Sequence, residues 1–336
     1  MAKSRSIQHP RVTLTGSGQV LGLVEFDGYY ASDIASYEKL AGLSAVTLTN
    51  VLIGRFSGSP GSGNGEVALD IQVAIGMAPG LNKIIVYETG NRSSSYDILN
   101  RIATDNTATQ ISCSWTWGTY DRGTAQIFQQ YAAQGQSFFQ ASGDSGAYVG
   151  TVDAPADNPY ITVVGGTVLT TTSQAVWSAE TAWGDQTSIG SGGGYSTIYT
   201  MPSWQADINM SANRGSTHYR NLPDVAMVAD SVVSISDNGT TYTVSGTSIA
   251  APLWAAFTAL VNQQAAANGQ PHVGFLNPTL YAVGKGPNVL KAFHDIISGD
   301  NTTTTSTTNF YAVAGYDLCT GWGSPTGINT VNLLLQ

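Results

Sequence analysis

The 336-residue sequence carries 13 Lys+Arg against 22 Asp+Glu, a net charge of -9, and only 10% of its residues are charged. So few cations exclude a nucleic-acid binder, which must displace counterions from a phosphate backbone. Two cysteines, Cys113 and Cys319, exclude a disulfide scaffold and a four-cysteine metal site. No apolar run reaches the roughly 18 residues of a membrane span, so neither membrane nor nucleic acid is an expected partner. The 42% of hydrophobic residues suffice for a sizeable core. A chain with few ionic pairs has little to lose when carboxylates are protonated, which points to work at low pH.

In chain order, residues 20–25 (VLGLVE) read as a buried strand and 31–41 as a helix. Residues 66–77 are helical, 84–88 a strand, 96–103 a helix, 110–114 a strand and 125–133 a helix. Residues 137–141 and 161–165 are two further strands. A long apolar helix opens near Ser248 and runs to about Ala267, with Pro252 in its first turn, where a missing N–H is tolerated. Strands alternating with helices predict an α/β domain on a mainly parallel sheet. The glycine-rich stretches 58–65 and 190–194 read as loops within it, and 302–308 as a polar low-complexity loop. One domain over 18–336, preceded by an extension at 1–17, accounts for the pattern.

Three segments bear chemistry. Glu66 and Asp70 stand four apart on one face of the 66–77 helix, EVALDIQVAIGM, which is otherwise apolar except at Gln72. A helix apolar all round is buried. Two carboxyls in a dry place cannot both ionise cheaply, so one keeps a proton, and the raised pKa is that of a general base for acid-to-neutral chemistry. The same spacing also suits an exposed helix start, where Glu66 would only favour the helix dipole. Ser248 follows the small residues Ser245, Gly246 and Thr247, at a helix N-terminus that favours developing negative charge. A hydroxyl there is also the ordinary N-cap. Asp144, in QASGDSGAY, follows a strand at its carboxyl end, where open α/β sheets place ligands, and an Asx turn is the other reading.

None of the four histidines, His9, His218, His272 and His294, has the setting a Ser-His-Asp triad needs. A nucleophilic Ser248 therefore takes a carboxyl as its base, which couples it to Glu66 and Asp70. Asp295 and Asp317, the latter in a glycine-rich stretch, suit either a hard cation with backbone carbonyls or ordinary turns.

Taken in order over residues 20–325, GEVALDIQVAIGMAPG (65–80), ISCSWTWG (111–118), ASGDSG (141–146), VDAPADNPYITVVGGT (152–167), LPDVA (222–226), SGTSIAAP (245–252) and YDLCTGWGSP (316–325) form one set. This set resembles the sedolisin family of serine-carboxyl peptidases, its kumamolisin branch most of all. The resemblance implies a subtilisin-like three-layer α/β fold and cleavage of peptide bonds in acid. It implies Ser248 as nucleophile, Glu66 as general base, Asp70 as the carboxyl that orients Glu66 and shares its proton, and Asp144 as the acid of the oxyanion hole. Glu25 and Trp115 match an outer pair that extends the hydrogen-bond network. Asp153, Ser114, Gly143 and Gly193 are expected at the substrate.

The resemblance further implies one structural Ca2+, held by Asp295 and Asp317 with carbonyls of Ile296, Val313 and Gly315. Val313 stands where relatives often carry glycine. Cys113 reads as a small buried hydrophobe. The expected partners are peptide or denatured-protein substrates and, before maturation, the protein's own propeptide. The expected setting is a secreted monomer in an acidic environment, its leader and propeptide missing from this chain. The alternatives are tripeptidyl exopeptidase action within the same family, a non-catalytic peptide-binding relative, and an aspartic-type hydrolase working across Asp70 and Asp144. Four N-x-S/T sequons, at Asn91, Asn209, Asn238 and Asn301, permit glycosylation.

Overall fold

A computed structural model describes residues 13–90, 95–118, 120–184, 188–230, 233–306 and 310–336. Its first half alternates strand and helix: β1 (Val20–Glu25), α1 (Ala31–Ala41), β2 (Leu48–Leu52), α2 (Asn64–Met77), β3 (Lys83–Glu88), α3 (Ser95–Asp105), β4 (Gln110–Cys113), α4 (Arg122–Gln134) and β5 (Ser137–Ala141). The second half adds β6 (Ser145–Ala147), β7 (Thr162–Thr171), β8 (Trp177–Ala182), β9 (Gly190–Thr200), β10 (Tyr219–Leu222) and β11 (Val225–Val228). The hairpin β12 (Val233–Asp237) and β13 (Thr240–Val244) then leads into α5 (Thr247–Ala267) and α6 (Asn277–Gly284).

The main sheet has the order β11-β7-β5-β4-β1-β3-β2, parallel throughout, with β8 added antiparallel on β7. Strands β1, β3, β4 and β5 are buried almost end to end, as expected of central parallel strands. The winding order reverses between β1 and β4. Such a switch point opens a crevice at the carboxyl ends of the strands. Glu25 ends β1, Ser114 and Trp115 follow β4, and Asp144 follows β5, so these side chains gather at that crevice.

Helix α2 is apolar all round because it is covered all round. It packs beside α5 and under the β12–β13 hairpin, where Leu69 and Val73 meet Ile235 and Ile249. Gln72, buried inside this packing, is bonded at both ends of its amide. The amide donates to the Ser236 carbonyl and accepts from the Ser236 N–H, both at 2.7 Å. Cys113 and Cys319 are buried free thiols.

Three features depart from the sequence reading. Residues 13–17 of the assigned extension are tied to the body, with the N–H groups of Thr15 and Gly16 donating to Gln263 Oε1 at 2.8 and 2.9 Å. The glycine-rich stretch 190–194 is strand, not loop: a Cβ on Gly193 would lie 1.7 Å from the Leu318 carbonyl oxygen, so only glycine lets the two backbones approach. Helix α5 begins at Thr247, which puts Pro252 in the second turn. Of the sequons, Asn91 lies outside the described residues, and Asn301 is buried, donating to the Ser191 carbonyl and accepting from the Phe310 N–H.

A second polar cluster fastens β10 and β11 to the rest. Arg220 and Asp224 form a fully buried ion pair at 2.6 Å. Asp224 also accepts from the Val163 N–H at 2.8 Å and the Tyr281 hydroxyl at 2.7 Å, while Arg220 lies over the Trp204 ring. Removing one partner of such a pair leaves a buried charge uncompensated. Arg220→Ala is expected to lower the unfolding free energy by about 3–5 kcal/mol, read by denaturant titration; a loss below about 1 kcal/mol would show that Asp224 needs no counter-charge.

Candidate active site

The N-terminus of α5 is built around Gly246, whose φ of +152° and close approach to Asp144 suit glycine: a Cβ there would lie 3.1 Å from Asp144 Oδ2. Gly246 is also the N-cap, and no side chain makes a cap hydrogen bond. Ser248 is thus the second helical residue, half-buried, and its hydroxyl is not spent on capping. Pro252 lacks the N–H that would reach the Ser248 carbonyl four residues back. The Ser114 hydroxyl oxygen stands 3.4 Å from that carbonyl and donates to Asp70 Oδ1 at 2.8 Å. Ser114 therefore bridges α2 to α5 and brings the carboxyl helix and the serine helix to one point.

Asp70 is fully buried and faces Glu25, which is equally buried and accepts from Trp115 Nε1 at 2.8 Å. Burial is the main force pushing both carboxyls well above their usual range; Glu66 adds to both and Glu25 to Asp70, while Trp115 and the hydrogen bond with Asp70 pull Glu25 back and Ser114 pulls Asp70 back. Glu25 Oε1 and Asp70 Oδ2 are buried with no conventional hydrogen-bond donor. One proton shared between the two carboxyls would satisfy both oxygens, which pairs Asp70 with Glu25. Glu66 stands beside them, one turn earlier on α2. Asp27 fixes the approach to that turn, accepting from the N–H groups of Gly61 (2.7 Å) and Gly63 (2.6 Å).

Asp144 is anchored from α5. The Thr247 N–H and hydroxyl both donate to its Oδ1, at 2.8 and 2.7 Å, and the Thr247 hydroxyl in turn accepts from the Gly143 N–H at 3.1 Å. Burial raises the Asp144 pKa and the two Thr247 bonds partly offset it. Below that raised pKa the carboxyl is neutral, a donor held at the head of a helix. Asp70 and Asp144 have different partners, so the pair an aspartic-type hydrolase would need is not formed.

A cleft of about 570 Å³ joins these groups: Ser248, Asp144, Gly143, Ser114 and Asp153 all line it, together with Tyr148. Gly193 does not line it and sits one layer behind, accepting from the Tyr148 N–H at 2.9 Å. No histidine lines the cleft, and His294 is stacked on Trp177 with ring centroids 4.0 Å apart. Thr247, Asp27 and the wall formed by Thr305 and Ser306 were not anticipated. Thr303 Oγ1 donates to the Ser145 carbonyl and Ser306 Oγ to the Ala147 carbonyl, at 3.0 and 2.6 Å, so side-chain hydroxyls clamp the open edge of β6. For Thr247, the signal was its place beside Ser248 in SGTSIAAP.

The two aspartates expected at a cation converge on one loop. Asp295 accepts from the Gly315 N–H, and Asp317 from the N–H groups of Val313, Cys319 and Thr320. Burial raises both carboxyls, Asp317 to about 7. Among the described residues no three His, Cys, Asp or Glu side chains stand together as ion ligands.

The sequence profile of the Subtilase family matches residues 56–311. Kumamolisin of Bacillus sp. (strain MN-32) is 38% identical over 96% of this chain and 61% of its own length. Tripeptidyl-peptidase 1 of Canis lupus familiaris is 28% identical over 88% of this chain and 56% of its own length. The solved structure of Pseudomonas sedolisin, a serine-carboxyl proteinase complexed with two molecules of pseudo-iodotyrostatin, superposes with a TM-score of 0.83 at 28% identity, covering 95% of this chain and 92% of that one. The chain spans about 41–61% of the length of the curated relatives it matches most strongly. Fold and relatives agree on the subtilisin-like α/β architecture.

The raised carboxyls make a stability prediction. A group protonated more readily in the folded state stabilises that state fully below its unfolded pKa and loses the effect as pH climbs through the folded one. Glu25, Asp70 and Asp144 are raised, and Glu88, at the end of β3, is raised to about 7. The melting temperature should therefore fall steadily from about pH 4 to beyond neutrality; a maximum at or above pH 7 would contradict the protonated core.

Proposed function

The chain belongs to the sedolisin family of serine-carboxyl peptidases, and from that membership we propose that it is an acid-active endopeptidase working through a Ser248 acyl-enzyme. Ser248 Oγ attacks the scissile carbonyl carbon while its proton passes to Glu66. Asp70, paired with Glu25 and held by Ser114, orients Glu66 and limits the charge that builds there. Neutral Asp144 and the Ser248 backbone N–H donate to the developing oxyanion. As the tetrahedral intermediate collapses, Glu66 returns the proton to the departing amine. Water then repeats the sequence on the ester. Glu66 and Asp70 titrate as a unit.

The observation that carries this reading is the junction at Ser114, which joins the carboxyl helix to the turn bearing Ser248, with Asp144 bound to the neighbouring Thr247 on the same cleft. Substrates are peptides and denatured proteins, and the Asp153 carboxylate in the cleft favours a basic side chain.

The proposed Ca2+ fits the donor chemistry at Asp295 and Asp317: hard oxygen ligands, completed by carbonyls of Ile296, Val313 and Gly315. None of these three carbonyls accepts a backbone N–H among the described residues. A cation there would neutralise the buried Asp317 and the half-buried Asp295 and brace the 313–320 loop, without touching the reaction.

Ser248→Ala should cut turnover of a denatured protein by roughly 10⁴-fold or more while leaving the melting temperature unchanged. The kcat/KM profile of the parent should peak in acid and fall as Asp144 loses the proton it donates; an alkaline optimum refutes the mechanism. Fragments of many lengths from a peptide library support endopeptidase action, whereas tripeptides alone, released from N-termini, assign the exopeptidase alternative. Chelation of Ca2+ should lower the melting temperature, and Asp317→Asn should abolish that response; a curve indifferent to chelator removes the ion from the proposal.

A further inference from the structure

Strands β1 and β3 run parallel in register, and Glu25 and Glu88 stand directly opposite one another at their carboxyl ends. Residues so paired point to the same face of the sheet. Glu88 is fully buried, and neither of its carboxyl oxygens has a hydrogen-bond partner among the described residues. Among the described residues its neighbours bring no positive charge. Glu25 faces it from β1, Asp27 and Tyr29 from the segment after β1, and Leu52 from β2. Over it lies Gly58, where a Cβ would stand 3.5 Å from Glu88 Oε2. No Lys or Arg among the described residues, Arg55 of the turn after β2 included, forms an ion pair with it. An apolar side chain would fill this strand end without the cost of burying an unpartnered carboxyl.

We propose that Glu88 is a positioning residue of the acid–base site, acting through Glu25: once ionised, its charge keeps the shared proton on the Glu25–Asp70 pair as the pH rises. The proposal rests on the reading of Glu66 and Asp70 as the base system. In acid Glu88 is neutral and silent. Burial, with the Asp27 charge beside it, sets its own release near 7, and burial holds the Glu25–Asp70 pair well above the usual carboxyl range. The negative charge then created beside Glu25 makes removal of the next proton harder. The same arrangement extends the outer limb of the network from Trp115–Glu25 to a third strand.

Trp115 provides the readout, because its indole N–H donates to Glu25. In Ser248→Ala protein, which cannot digest itself, the Trp115 indole resonance is followed by NMR from about pH 4 to 9 and assigned with Trp115→Phe. Glu88→Gln, which cannot ionise, should move the alkaline midpoint down by about one pH unit. Glu88→Met, which lacks both carboxyl and amide, should move it equally. A midpoint unmoved or moved upward in either variant overturns the proposal, since a purely structural role predicts no such shift. Peptide turnover by the parent is measured separately: an inactive parent removes the base-system reading, while the Trp115 titration still decides the coupling of Glu88 to Glu25.

Discussion

Carboxyl groups packed into a dry core, with no cation among them in the described residues, are the constraint from which the rest of this molecule follows. Glu25, Asp70 and Glu88 are completely buried and Glu66 stands beside them. Water would ordinarily let all of them ionise; burial and mutual repulsion forbid it. A proton must therefore stay within the cluster over a wide range of pH, and that retained proton makes a carboxylate-based activation of serine feasible. The low content of charged residues agrees with this, since few surface ion pairs stand to be lost at a pH where the buried carboxyls are protonated.

The fold supplies the cluster by ordinary means. A switch in winding order opens the crevice between β1 and β4, so strand ends deliver Glu25, Glu88, Ser114 and Asp144 to one place. Helix α2 can carry two carboxyls inward because the sheet, α5 and the β12–β13 hairpin enclose it. At the head of α5, glycine takes the cap position, which leaves the hydroxyls of Thr247 and Ser248 for other duties. Thr247 spends its hydroxyl on Asp144.

Much of this was legible in the residues themselves. Strands β1, β3, β4 and β5 and helices α1, α2 and α5 read off to within about two residues, because buried parallel strands are continuous apolar runs and α2 and α5 are largely apolar; β2, half exposed at the sheet edge, and the second half of β7 do not read off. The i,i+4 spacing of Glu66 and Asp70 survives as a shared helix face. What the sequence did not disclose depends on distant backbone. Gly190 to Gly194 look like loop residues until Leu318 and Ser142 are seen pressing against them. Glu88 reads as the polar end of a strand, and only the register with Glu25 shows what it adjoins. The partnership of Asp70 with Glu25 joins residues 45 positions apart and has no local signature. Gly193, expected at the substrate, serves instead as the backbone support of Tyr148.

The clamp on β6 has a consequence for how such a cleft can diversify. A strand edge bonded to another strand changes only if both backbones move, whereas Ser145 and Ala147 are held by two hydroxyls reaching across from residues 303 and 306. Swapping single side chains in that threonine-rich segment can widen, narrow or re-line one bank of the groove. The sheet beneath, with its costly protonated interior, is left undisturbed, so the lining of the groove and the carboxyl cluster behind it are free to change separately.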